Sequence, residues 1–257
     1  MQIKDKIVVV TGAASGIGRA LAHRFKQEGA KLVVCSDLNR DGAAKTAKDV
    51  EGIAFTTDVS REEDIKRLIE DVETKHGAID LFCSNAGIGF AGGPEVSNER
   101  WQKIWDVNVM AHVWAARHLL PRMLARGGGY LFSTASAAGL LSQIGSAPYA
   151  VTKHAAVAFA EWLAITYGDR GIKVSVLCPQ AVRTAMTAGN PDGVASVDGM
   201  IEPEVVAEAC VRAIAAEDIL VLPHAEVHEY MQRKANDPNR WIAGMRKLAR
   251  RYTGRGV

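Results

Sequence analysis

Tyr149 and Lys153 stand four residues apart, and Ser136 precedes the tyrosine by thirteen. A phenol with an ordinary pKa of about 10 is a poor base at neutral pH, so proton exchange through Tyr149 requires a fixed cation beside it. Lys153 is spaced to be that cation, because positions i and i+4 of a helix share a face. Lowering the phenol by roughly 2 to 3 units takes about 3 to 4 kcal/mol of differential stabilisation of the phenolate. One ammonium in a partly dry cleft can supply that. Such a pair suits proton transfer at a substrate oxygen, as in the interconversion of an alcohol and a carbonyl.

A glycine-rich run, Thr11 to Gly18, opens the chain at the end of a short apolar stretch over 6–11 that is rich in β-branched residues. Ala20, Leu21, Ala22 and Phe25 then recur at helical spacing up to Gly29, which suits a helix end. The order strand, glycine turn, helix offers the amides of a helix N-terminus to a pyrophosphate. A tight structural turn would use the same glycines, but a second apolar strand at 31–36 ends at Asp37, nineteen residues beyond Gly18. A dinucleotide site needs an acid there for the ribose hydroxyls. A carboxylate accepts from a free 2′-hydroxyl and repels a 2′-phosphate, which favours NAD over NADP. Arg40 could meet a phosphate, although a solvated arginine in the first turn of the next helix is the simpler reading.

These residues need a scaffold that brings them together. Apolar strand patterns recur near 31–36, 52–57, 79–84, 129–134, 172–178 and 218–222, with helical segments between them. This alternation predicts an α/β fold, a doubly wound, mostly parallel seven-stranded sheet with helices on both faces. Ligands bind beyond the carboxyl ends of such strands, and Gly12, Asp37, Asp58, Asn85, Ser136 and Pro179 each follow a different one. The even spread of elements and the lack of an internal linker predict one domain over 1–257.

From about residue 5 to 222 the chain resembles the classical short-chain dehydrogenase/reductase family. The family's Thr-Gly-x-x-x-Gly-x-Gly is intact at 11–18, and Asp58-Val59 looks like its adenine contact. Asn85-Ala86-Gly87 is similar to its Asn-Asn-Ala-Gly, with Ser84 in place of the first Asn. Asn108, Ser136, Tyr149 and Lys153 match its catalytic set. The resemblance implies a Rossmann fold with a dinucleotide held by Gly12, Ser15, Gly16, Ile17, Gly18, Asp37, Leu38, Asp58, Val59, Asn85, Ala86, Gly87, Tyr149, Lys153, Pro179, Val182 and Thr184. Val182 and Thr184 would hold the nicotinamide amide, and Lys153 the nicotinamide ribose. Asn108 would anchor a water linking Lys153 to solvent. It also implies a homotetramer or homodimer built on long helices around 98–125 and 149–168. After the sixth strand the family usually reads Pro-Gly, whereas Gln180 follows Pro179 here. Gln180 must therefore take an ordinary or a mildly strained backbone conformation, and it alters the expected substrate pocket.

Ser136, Ala138, Leu140, Gln143, Ile144, Tyr149, Gln180 and Met186 are the substrate-pocket candidates. They are mostly apolar or neutral, which points to a hydrophobic secondary alcohol or its ketone. No arginine or lysine falls among them, which disfavours a small carboxylate. The turn-rich stretch from 185 to about 202 reads as a mobile lid, within a lid region reaching 216, and Pro203 restarts a helix. An extension over 223–257 carries Arg233, Lys234, Arg240, Arg246, Lys247, Arg250, Arg251 and Arg255, read as a solvated helical face or a subunit contact rather than an anion site. His224 and His228, with Glu229 adjacent, have zinc-ligand spacing on a helix, but the chemistry above needs no metal and no third ligand is evident.

A net charge of +2 is too small to imply a nucleic-acid partner, and no apolar run approaches the eighteen residues of a membrane span. Cys35, Cys83, Cys178 and Cys210 lie far apart, as reduced thiols of a cytoplasmic protein would. Two other functions share these features. One is an NADPH-dependent ketoreductase acting on carrier-bound acyl chains, against which Asp37 speaks. The other is a dinucleotide-binding sensor or scaffold without turnover, against which the complete catalytic set speaks.

Overall fold

The computed structural model describes residues 1–189 and 193–253. Its seven strands are β1 (Ile7–Thr11), β2 (Leu32–Asp37), β3 (Ile53–Thr56), β4 (Leu81–Ser84), β5 (Gly129–Thr134), β6 (Ile172–Leu177) and β7 (Leu220–Val221). They form one sheet in the order β3-β2-β1-β4-β5-β6-β7, and every pairing is parallel, beyond the mostly parallel sheet expected. The sequence of β1, Ile-Val-Val-Val-Thr, is apolar throughout because the strand is central and buried along its whole length. At the edge, β3 alternates half-buried Ile53 and Phe55 with exposed Ala54 and Thr56. Strand order reverses between β1 and β4, and the carboxyl ends there open the crevice typical of doubly wound sheets.

Helices cover both faces. One core packs α3 (Glu62–Lys75), α5 (Ala111–Ala125) and α7 (Ala147–Tyr167) on the sheet through Leu68, Ile69, Leu119, Ala160 and Leu163. The other packs α1 (Gly16–Gln27), α2 (Arg40–Asp49) and α8 (Pro203–Ala216) through Leu21, Phe25, Ala47, Cys210 and Ile214. Fully burying one of these leucine, isoleucine or phenylalanine side chains contributes about 1.5–3 kcal/mol. All four cysteines are buried and unpaired, and burial pushes the Cys178 thiol up to about 12.

The single helix expected over 98–125 is interrupted. The helix α4 (Asn98–Trp105) passes into a π-helical turn, Asp106–Met110, before α5 resumes. A short helix, α6 (Ala138–Leu141), precedes α7. The extension past β7 forms α9 (Glu226–Asn236) and α10 (Pro238–Thr253), tied to α6 by a third apolar cluster of Val227, Ala137 and Leu141 with Tyr230, Met231 and Trp241 against it. Within the expected lid, Asn190, Pro191 and Asp192 lie outside the described residues, as does Arg255 of the tail.

Candidate active site

At the carboxyl ends of the strands lies a cavity of about 1490 Å³. Its first wall is the glycine turn. Gly12 has φ +69°, and a Cβ on Gly18 would collide with the Gly12 carbonyl oxygen, so this close crossing of turn and helix admits only glycine. The first turn of α1 carries no acidic residue, and Ser15 makes no capping bond there, leaving its N–H groups for an anion. Asp37 sits at the end of β2, its Oδ2 accepting the Ala14 N–H at 2.9 Å and its Oδ1 the Asn39 N–H at 2.8 Å. Arg40 is the exposed first residue of α2 and does not line the cavity. Asp58 works against partial burial, yet hydrogen bonds from Ser60 and the nearby Lys103 ammonium hold its carboxyl below the ordinary range. The glycine cradle, the free helix amides and the carboxylate at Asp37 together fit a dinucleotide.

Tyr149 and Lys153 share one face of α7. The Lys153 Nζ is 5.6 Å from the centre of the Tyr149 ring and donates to the Thr134 carbonyl at 2.9 Å. Burial lowers the Lys153 ammonium to about 8. Burial also raises the Tyr149 phenol, partly opposed by a hydrogen bond with Ser136, so the expected depression of its pKa is reversed. Desolvation outweighs the Ser136 hydrogen bond at the phenol and weakens the Lys153 ammonium as well. Ser136 Oγ accepts the Ala138 N–H at 3.1 Å and donates a long 3.3 Å bond to the Pro179 carbonyl.

Asn108 is fully buried and does not line the cavity. Its Oδ1 accepts the Ile88 N–H at 3.0 Å, while Nδ2 donates to the Ile88 carbonyl at 2.9 Å and to Thr152 Oγ1 at 3.2 Å. The Asn108 side chain thus clasps the backbone after β4 to α7, with Ile88 and Thr152 taking both of its amide protons.

Every expected cofactor residue lines the cavity, as do Ser136, Ala138, Gln143, Ile144, Gln180 and Met186. Leu140 does not. It packs into the core, and its neighbour Leu141 reaches the cavity instead. Gln180 has no positive φ, so the substitution for the family's glycine is unstrained. Its N–H is received by His224 Nδ1 at 3.2 Å, and His224 Nε2 lies 3.2 Å from the Ala181 carbonyl. His224 precedes α9 rather than sharing a helical face with His228, and among the described residues no group of three potential metal ligands occurs.

The largest departure from expectation is the C-terminal extension. Trp241, Met245 and Leu248, at helical spacing, turn one face of α10 to the cavity, and Arg233 and Arg240 line it too. The expectation of a pocket without arginine is thus overturned. The cations were visible in the sequence, but their placement over the pocket depends on how α9 docks on α6. Tyr230 donates to Asp198 Oδ1 at 2.9 Å and Gln180 Nε2 to Asp198 Oδ2 at 3.1 Å, joining lid, floor and extension through one carboxylate.

Residues 6–194 match the family model described as short chain dehydrogenase. The 1-deoxy-11-beta-hydroxypentalenate dehydrogenase of Streptomyces exfoliatus is 36% identical over 253 residues, covering 95% of this chain and 92% of that protein. Epidermal retinol dehydrogenase 2 of Homo sapiens is 34% identical over 84% of this chain and 72% of its own length. Among solved structures, a short chain dehydrogenase/reductase from Burkholderia phymatum in complex with NAD superposes with a TM-score of 0.85 at 27% identity, covering 92% of this chain and 95% of that one. With the glycine cradle and the Ser136, Tyr149 and Lys153 cluster in place, the chain belongs to the short-chain dehydrogenase/reductase family, as an oxidoreductase acting on CH–OH groups.

Proposed function

We propose that the protein interconverts a hydrophobic secondary alcohol and its ketone with NAD(H), working as a homodimer or homotetramer. The observation that carries this reading is the buried Lys153 ammonium beside the Tyr149 ring, on the wall that Ser136 shares. A bound nicotinamide supplies the hydride acceptor or donor. Tyr149 exchanges the proton of the substrate oxygen, and Ser136 gives up its long bond to Pro179 to donate to that oxygen as negative charge grows on it. Lys153, held by the Thr134 carbonyl, keeps a positive charge near the phenol. Asn108 acts as a positioning residue for Ile88 and α7.

Asp37 supports NAD, since it lines the cavity whereas Arg40 does not. The partly apolar substrate side, with Leu141, Ile144, Val197 and Met186, supports a hydrophobic substrate. The relatives' printed substrates, a hydroxylated pentalenate and retinol, are of that kind.

Separate titrations of NADH and NADPH, followed by a panel of secondary alcohols, test the reading. We expect NADH to bind at least tenfold more tightly, and Tyr149→Phe to lose turnover while keeping NADH affinity. Preference for NADPH would sink the cofactor assignment, and unimpaired turnover in Tyr149→Phe would sink the mechanism. Because burial raises the phenol, kcat/KM for oxidation should climb from pH 7 towards pH 8, while Lys153 still holds its charge, whereas reduction, which needs the protonated phenol, should not.

A further inference from the structure

Resting on the dehydrogenase reading, we propose that the substrate carries a carboxylate at the end remote from its hydroxyl, and that Arg240 of α10 receives it.

The cavity is chemically mixed. Tyr149 and Ser136 line it together with apolar Leu141, Val197, Trp241 and Met245, and two guanidinium groups, Arg233 and Arg240, join the lining from the C-terminal helices. Arg233 is already engaged, paired with Glu229 one turn away and stacked 5.6 Å from the centre of the Tyr230 ring. Arg240 has no carboxylate partner among the described residues. The one acid beside it on the lining, Asp237, caps α10 instead, its Oδ1 accepting the Arg240 backbone N–H at 2.9 Å. A carboxylate at that position is partly neutralised by the helix N-terminus, so Arg240 is left as the free positive charge.

A planar guanidinium offers two parallel donors that match a carboxylate. A monoanion balances a single free arginine. Apolar Leu141, Val197, Trp241 and Met245 line the same cavity as Arg240 and Tyr149, which suits a substrate that is apolar between its hydroxyl and its acid group. Arg240 is also solvent-exposed, and an exposed pair is screened by salt, so the preference it confers is modest and salt-sensitive.

Calorimetric binding of decanoate against methyl decanoate, with wild type, Arg240→Met and Arg240→Lys, tests the anion site without turnover. Wild type should prefer the acid by about five- to tenfold. The preference should vanish in Arg240→Met, persist in part in Arg240→Lys, and fall as salt is raised. Equal affinity for acid and ester in wild type, or an undiminished preference in Arg240→Met, would overturn the proposal. With NAD and the secondary alcohol 9-hydroxydecanoate, Arg240→Met should raise KM for the acid more than for its methyl ester. An intact acid preference with no oxidation of this or any other secondary alcohol would leave the anion site standing and sink the dehydrogenase reading instead.

Discussion

Lys153 meets two opposed demands, since chemistry needs its charge and burial penalises it. The residue is 3% exposed, and its ammonium is lowered to about 8 from the ordinary 10.5. Below pH 8 both folded and unfolded chains hold the proton, so the folded chain bears the full penalty of a buried charge. Between pH 8 and 10.5 the folded chain sheds the proton while the unfolded chain retains it, and the penalty is relieved as pH rises. The stability of wild type relative to Lys153→Met should therefore increase by about 2 kcal/mol between pH 7 and 9.5, read by urea unfolding at each pH. A flat difference would mean that the ammonium is solvated in the native state. Turnover of the variant should fall by roughly 10²- to 10⁴-fold, the range for loss of an acid–base group. At this scale the sequence is most legible where a spacing encodes chemistry, as in Tyr149 and Lys153. It misleads where spacing is incidental: His224 and His228 have metal-ligand spacing, yet His224 is a buried clasp for the backbone of Gln180 and Ala181. Nothing in the pattern around position 224 reveals a partner 44 residues away.

Between single side chains and the whole sheet stand the elements that aim them. The π turn at Asp106–Met110 carries Asn108, whose three hydrogen bonds join the segment after β4 to α7. Replacing it by leucine leaves the Ile88 N–H and carbonyl without partners, at about 1–3 kcal/mol for each group that is not rehydrated. Asn108→Leu should thus lose about 2–4 kcal/mol of stability by denaturant unfolding, along with most turnover. A variant as stable as wild type would show that the clasp is dispensable. The sequence predicts the helix on either side of this turn, but apolar periodicity cannot register one extra residue per turn in a buried segment. A similar limit applies to α10. Trp241, Met245 and Leu248 announce an amphipathic helix, whereas what its apolar face covers is decided by the docking of α9 on α6 through Val227 and Tyr230. Asp198 links that extension to the lid and to Gln180, so Asp198→Ala should raise KM several-fold with a smaller change in kcat. Steady-state kinetics on any accepted substrate decides this, and an unchanged KM would remove the lid from substrate binding.

For the whole molecule, the order of strands and the crevice where it reverses follow from the alternation of apolar strands and amphipathic helices, whereas assembly depends on what the outer helices leave uncovered. The inner face of α7 buries Lys153, Ala156 and Ala160 against the sheet, while its outer face leaves Trp162 and Ile165 exposed at 52% and 85%. Phe159 stacks on Trp162 with ring centres 6.4 Å apart, and Tyr167 meets Trp162 edge-on, making a continuous aromatic surface. A monomer would hold this surface in water, and a second copy of the chain related by a two-fold axis would bury it against itself. Light scattering after gel filtration should give a dimer or tetramer at micromolar concentration, and Ile165→Glu with Trp162→Lys should shift it to monomer. Since Tyr149 and Lys153 lie on the same helix, the monomer should also melt at a lower temperature that no longer depends on protein concentration, with turnover reduced in proportion to the loosening of α7. A wild-type protein that stays monomeric at tens of micromolar would show that the aromatic face of α7 serves some contact other than self-association, and the catalytic helix would then be held by its inner face alone.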